Sequence, residues 1–397
     1  MTLVFESDAV KADPSVAATH VLLIGCGEYP SISNTVFGGL AALTSPKVSV
    51  EAVANWFLKG VDAMPAGQAK GSEEAFFNDE APLGSVVMLT SPSATFNTPF
   101  GTTVTPTRPS IDNIRMAYFE WLERLETNSN SRGIFYYCGH GVSDGLTQQL
   151  VADDFGENKI KQYDAIFHLS NTVQGSIRKA KASLFYFIDA CMELSQEIIN
   201  QVASPQPLID MSRTGAITTS EWAILRATTA NRVAYAPPGD VGYFTGALLS
   251  ALRGHCGIER ANGDKYAVDI SKLRSAISEF LDFGQSSVAA DRQKVGATEG
   301  EGSWVVPMHM LSKRPSILLE LDITPQGYRP IAQAFMEGAA VARDSQSLAL
   351  GPVRFVREHG EWTYGANSTV PASFAEKSFS RKLLTSAAMR CLINIET

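Results

Sequence analysis

The chain is poor in cysteine: 5 among 397 residues, scattered, with no Cys-x-x-Cys pair. An odd, dispersed set frames no disulfide scaffold and gives no zinc-ligand spacing, and it suits a reducing cytoplasm. Base is also in deficit. Lys and Arg number 33 against 41 Asp and Glu, a net charge of −8. That balance argues against a nucleic-acid surface and mildly favours basic or neutral substrates. No apolar run approaches the ~18 residues of a membrane span, so no membrane association is expected. Met1 to His20 carries acids and no apolar stretch, so it does not read as a secretory leader. Internal repeats and low-complexity tracts are missing too. The rest is ordinary for a globular chain, 45% hydrophobic and 19% charged. Its length allows one large core, or a large core plus a small one.

Two apolar runs dominate what is present. Ser183-Leu184-Phe185-Tyr186-Phe187-Ile188-Asp189-Ala190-Cys191 reads as a strand buried on both faces, ending in an acid, a small residue and a thiol. Gly133-Ile134-Phe135-Tyr136-Tyr137-Cys138 repeats the pattern and ends in Gly139-His140-Gly141. Ligands of open parallel sheets sit outside the carboxyl ends of the strands. Neighbouring strands of this kind bring His140 beside Cys191. An adjacent imidazole activates a thiol as nucleophile and can later act as general acid. The spacing leaves room for one crossover helix between parallel strands.

Other segments follow an alternating order. Strands are expected at 21–25, 85–90, 133–138, 150–152, 183–190 and 232–236. Helices are expected at 50–58, after the cap Ser110, at 171–181, 243–252 and 266–284. Alternation of this kind means an α/β, doubly wound, mostly parallel sheet flanked by helices. Residues 1–18 read as a loose arm, 19–283 as the main domain and 284–303 as an aperiodic linker. The remainder, 304–397, reads as a small α+β module in βαββαβ, ferredoxin-like order, with helices at 330–343 and 374–389.

On these residues the sequence resembles the caspase-like cysteine peptidases: caspases, metacaspases and their prokaryotic relatives. Tyr137-Cys138-Gly139-His140-Gly141 resembles the family's histidine motif, and Ile188-Asp189-Ala190-Cys191-Met192 its cysteine motif. The resemblance covers roughly 20–283. It departs at two places, Asp189 where caspases carry Gln and Glu193 where they carry Gly. The resemblance implies a cysteine endopeptidase with a His140/Cys191 dyad. An oxyanion hole needs preorganised N–H donors, and the Gly141 and Cys191 amides are the natural pair. In metacaspases the acid at the Asp189 position pairs with Arg or Lys of the substrate, which implies cleavage after Arg, then Lys. Glu51 is the nearest counterpart of those enzymes' second pocket acid. Arg213, in a polar stretch, is the expected self-cleavage point of a zymogen.

Three other readings compete. The core could be a non-catalytic caspase-like scaffold that binds protein. Gly141-Val142-Ser143-Asp144-Gly145 matches the nucleophile elbow of a serine hydrolase acting through Ser143. Asp153-Asp154 could open a calcium site, although oxygen ligands must converge from several segments. No other cofactor is expected. The partners expected are a protein substrate and a regulatory protein bound through the C-terminal module.

Overall fold

The computed structural model describes residues 2–31, 41–62, 75–144, 147–194, 205–210, 216–229, 234–260, 265–285 and 293–396. Its centre is a seven-stranded sheet. In chain order the strands are β1 (Thr2–Glu6), β2 (Thr19–Cys26), β3 (Leu83–Ser91), β4 (Arg132–Gly139), and, beyond three short strands, β8 (Ser183–Ala190). Those three are β5 (Gly141–Ser143), β6 (Gln148–Val151) and β7 (Ile166–His168). After β9 (Glu193–Leu194) come β10 (Trp222–Arg226) and β11 (Glu299–Glu301). The order across the sheet is β1-β3-β2-β4-β8-β10-β11, and only the two edge strands run antiparallel to their neighbours. The sheet is therefore mostly parallel, as the alternating order predicts.

Every residue of β2, β4 and β8 is buried, as unbroken apolar runs require. Helix α1 (Ser45–Asp62) packs on one face of the sheet with α4 (Tyr243–Ser250) and α5 (Ile270–Gly284). On the other face lie α2 (Ile111–Leu125), capped by the Ser110 hydroxyl, and α3 (Leu169–Ser176). Successive residues of β8 thus feed two different cores. Phe185 and Phe187 enter the first, Tyr186 and Ile188 the second.

Several expectations are corrected. Residues 2–6 are a sheet strand rather than a loose arm, and 299–301 within the expected linker pair with β10. The strand expected at 232–236 lies instead at 222–226. Its apolar run Trp222-Ala223-Ile224-Leu225 is bounded by Glu221 and Arg226, and those flanking charges make it read as part of a polar loop. Residues 232 and 233 lie outside the described residues, and Ala234 to Ala236 are irregular. The end module is not α+β but all β. Strands β12 (Ser316–Thr324), β15 (Val353–Glu358) and β18 (Ala388–Asn394) form one sheet, ordered β15-β12-β18. The other has the order β14-β13-β16-β17, from β13 (Ala332–Gly338), β14 (Val341–Ser347), β16 (Gly360–Ser368) and β17 (Lys377–Leu384). The two sheets share one core, with Leu319, Leu321, Met336 and Ala366 in it. The expected helix at 330–343 rests on the helix formers Ala334, Met336 and Ala340. Strand pairing and a hairpin at Gly338 override that preference, because what strands require is fit to a half-buried surface.

Candidate active site

Register decides what the sheet edge carries. Asp189 pairs with Cys138 and Ala190 with Gly139, so β8 and β4 end level. The next residues along, Cys191 and His140, then leave the same edge. Both line a cleft of about 490 Å³. Ala41 to Ser45, which lead into α1, form one wall, and Ala234 to Pro238, which precede α4, form the other. Asp189 and Gly242 also line it.

Two contacts fix the His140 imidazole and a third its backbone. Its Nε2 lies 2.7 Å from the Ala41 carbonyl oxygen. A carbonyl can only accept, so Nε2 carries the proton and the basic nitrogen of the neutral ring is Nδ1. The Tyr29 ring lies against the imidazole, centroids 4.8 Å apart. The Tyr29 hydroxyl accepts the His140 backbone N–H at 2.9 Å and donates to the Cys26 carbonyl at 3.0 Å. Burial lowers the imidazole pKa, and the Ala41 carbonyl offsets this in part. The ring is therefore neutral near pH 7, the form that takes a proton.

Cys191 is half-buried, and the Ala234 N–H points at its sulfur from 3.4 Å. That is the polarity a thiolate requires. Position 141 must be glycine, because a Cβ there would collide with the Cys191 carbonyl oxygen. The Gly141 backbone thereby closes on the candidate nucleophile.

Asp189 is 5% exposed and sits beside the thiol on the cleft wall. The Thr245 hydroxyl donates to its Oδ2 at 2.5 Å, and Tyr136 and Thr245 share a hydrogen bond of the same length. Gly242 leaves the carboxylate room, since a Cβ there would stand 2.5 Å from Oδ2. Burial pushes the carboxyl pKa up to about 6, against the opposing hydrogen bonds from Thr245.

The remaining expected residues are not gathered here. Glu51 lies on α1 in an ion pair with Lys47 at 2.8 Å and is not in the cleft lining. Arg213 lies outside the described residues. The Asp153 carboxylate is taken by Arg108, whose Nε and Nη2 donate from 3.1 and 3.0 Å. Asp154 accepts the Ile111 N–H at the start of α2. Among the described residues no group of three or more His, Cys, Asp or Glu converges to hold a metal ion. Ser143 is fully buried in β5, antiparallel to β6, rather than raised on a strand-to-helix turn; this corrects the serine-hydrolase reading. Sequence reasoning missed Tyr29, the Ala41 carbonyl and Thr245. Tyr29 was within reach, because it follows β2, the other neighbour of β4 at the same edge.

The caspase-domain family profile matches residues 18–288. A Sinorhizobium fredii protein, y4kE, is 66% identical over 345 residues, 87% of this chain and 99% of its own length. Caspase-1 of Spodoptera frugiperda is 13% identical, with a TM-score of 0.38, over 74% of this chain and 91% of its own. A solved protein of Geobacter sulfurreducens is 12% identical, with a TM-score of 0.41, over 72% of this chain and 94% of its own. The profile match takes in β2 to α5 and both walls of the cleft, and on that ground the chain belongs to the caspase-domain family.

Proposed function

We propose that the protein is a cysteine endopeptidase that cleaves polypeptides after a basic residue. The observation that carries this reading is the cleft itself, which His140, Cys191 and Asp189 line together at the end of two paired parallel strands. The Cys191 thiol passes its proton to His140 Nδ1, and the thiolate sulfur bonds to the scissile carbonyl carbon. The carbonyl oxygen becomes an oxyanion held by the Gly141 and Cys191 amides. Collapse of the adduct breaks the C–N bond, and His140 returns the proton to the leaving amine. Water, deprotonated by the same ring, then hydrolyses the thioester and restores the thiol.

Asp189 supplies the specificity. A buried carboxylate whose donors among the described residues are the hydroxyl and amide of Thr245 gains most from a cation that enters the cleft. A guanidinium pairs with it by two charge-assisted bonds, an ammonium by a point contact, and an acid is repelled. The order expected before the scissile bond is Arg, then Lys, then neutral residues, with Asp rejected.

A matched peptide series ending in Arg, Lys, Leu, Gln and Asp tests both parts. Wild type should cut the Arg peptide best. Cys191→Ala and His140→Ala should each lose more than about 10³-fold in kcat with an unchanged melting curve. Equal turnover by Cys191→Ala sinks the dyad, and a preference for Leu, Gln or Asp sinks the basic pocket. The same preference makes Arg213 a site of self-cleavage, which intact mass of wild type beside Cys191→Ala reads directly.

A further inference from the structure

The two peptide units that flank the Cys191 α-carbon converge on one side chain. Gln148, on β6 and fully buried, donates from Nε2 to the Cys191 carbonyl oxygen at 2.9 Å. The same nitrogen reaches the Ala190 carbonyl oxygen at 3.5 Å. A peptide unit is planar and trans, so its N–H points away from its C=O. The Ala190 carbonyl and the Cys191 N–H belong to one such unit. Turning that carbonyl toward Gln148 therefore turns the Cys191 N–H to the opposite side. The second unit, which carries the Cys191 carbonyl, is held by the same amide. One group thus constrains both φ and ψ of Cys191.

Gln148 is not free to rotate. Its Oε1 accepts from Arg226 Nε at 3.2 Å. A guanidinium only donates and a carbonyl only accepts, so the two ends of the amide are unambiguous. Arg226 ends β10 and is buried, and its Nη2 donates to Glu299 Oε2 on β11 at 2.6 Å. The Glu299 side chain is 40% exposed. A chain of hydrogen bonds therefore runs from the sheet edge at β11, through Arg226 and Gln148, to the backbone of Cys191.

We propose that Gln148, held by Arg226 and Glu299, is a positioning residue that aims the Cys191 amide at the oxyanion. The assignment rests on the peptidase reading above. It separates two things that a thiol enzyme needs. The hydrogen bonds of Gln148 go to backbone carbonyls and Arg226 rather than to the sulfur or the imidazole, so it should govern oxyanion stabilisation and leave thiol reactivity alone.

Gln148→Glu tests it. The variant keeps the volume and the acceptor for Arg226, but turns an oxygen instead of an NH₂ toward two carbonyls. Two rates are compared in the full-length protein. One is turnover of the Arg peptide. The other is alkylation by iodoacetamide, a reaction that forms no oxyanion, read at Cys191 by peptide mass with half-buried Cys391 as internal reference. The expected result is a kcat loss of about 10²-fold, with KM and the Cys191 alkylation rate each within about twofold of wild type. A kcat within about threefold of wild type in a folded variant overturns the proposal. So does a loss confined to KM, or an alkylation rate that falls as far as kcat. Near-UV circular dichroism reports the fold. If Gln148→Glu does not fold, Glu299→Gln at the half-exposed end decides. It should lower kcat by roughly 3–10-fold with alkylation unchanged, and an unchanged kcat overturns the chain. Wild type that alkylates at Cys191 but cleaves no peptide overturns the peptidase reading itself, and this assignment with it.

Discussion

Strands β8 and β12 are almost equal in length, 8 and 9 residues, and differ in what surrounds them. All of β8 is buried. Along β12 buried residues alternate with half-buried ones from end to end. The consequence is chemical. A strand covered on both faces has no room for a polar side chain until it ends, so polar groups collect at the edge. In β8 these are Asp189 and, one residue past the strand, Cys191. A strand covered on one face carries polar groups all along the other. In β12 they are Glu320 and Asp322, and both are consumed by ion pairs. Glu320 binds Arg354 and Arg390, and Asp322 binds Arg329. The core confines its buried polar side chains to the strand ends, Thr19, His20, Arg132 and Ser183 at one edge and Asp189 and His140 at the other, whereas the module disperses and pairs them.

Adjacent alanine substitutions break or sharpen this contrast with the largest expected effect. Phe187 and Ile188 point into different cores and both are buried. Phe187→Ala and Ile188→Ala should each cost about 2–5 kcal/mol, the range for large-to-small changes in a packed core. In β15 of the module, Phe355 is 1% exposed and its neighbour Val356 is 53% exposed. Phe355→Ala should cost a similar amount, and Val356→Ala no more than about 0.5 kcal/mol. Urea midpoints of the four variants make the measurement. Equal costs for Phe355 and Val356, or a neutral Phe187→Ala or Ile188→Ala, would remove the distinction.

That same distinction explains how far the sequence could be read. The runs 133–138 and 184–188 have no charged or amide residue in them, so two-sided burial was legible, and with it the parallel sheet and the edge that carries His140 and Cys191. The caspase-like architecture followed from the motifs at those two ends. The module was not legible. Its strands mix Ala, Met, Glu and Lys, residues whose helix preference is overridden only by pairing partners far along the chain. Leu318, for example, pairs with Val356 on one side and Ala388 on the other. The strand at 222–226 was missed because it is short and flanked by charges. The contacts that orient the site were illegible for another reason. The Ala41 carbonyl is backbone and leaves no mark in residue type. Gln148 reads as an ordinary polar loop residue until β6 is folded against Cys191.

The next effect concerns Asp189. Its carboxyl is raised from 3.8 to about 6 by burial. The folded protein therefore holds this proton more tightly than the unfolded chain does. Between pH 4 and pH 6 the folded state carries the extra proton, so stability from this group is complete below about 3.8 and lost above about 6. Asp189→Asn keeps an oxygen to accept from Thr245 and has no charge to bury. It should be more stable than wild type at pH 8, by about 2–3 kcal/mol, and should lose that advantage below pH 4. Activity should move the other way. The Arg-over-Leu ratio of kcat/KM should fall as pH drops through about 6 in wild type and stay flat in Asp189→Asn. A ratio cancels the titration of His140, which is common to both substrates. A wild-type ratio independent of pH, or an Asp189→Asn protein less stable at pH 8, would contradict a buried, titrating carboxylate.

The smallest effect comes from the same chemical change made in the module. Glu320 is also shielded, 12% exposed, but it has two cations: Arg354 and Arg390 each donate to it at 2.9 Å. Those arginines are 59% and 40% exposed, and both guanidinium groups lie 5.1 Å from the Phe283 ring of α5. Losing the carboxylate charge leaves both cations partly hydrated and still over the ring. Pairs with exposed members are worth about 0–1 kcal/mol and weaken with salt. Glu320→Gln should therefore destabilise by less than about 1 kcal/mol, and the difference should shrink as ionic strength rises. Its sign is opposite to that of Asp189→Asn at pH 8, although both replace an acid by its amide. The reason is the partner: Asp189 is buried with donors and, among the described residues, no cation, and Glu320 is half-buried with two. Melting curves of both variants at low and high salt make the comparison. Glu320→Gln more stable than wild type, or a loss indifferent to salt, would show that the module's carboxylate is governed by burial rather than pairing, and the contrast between the two sheets would fail.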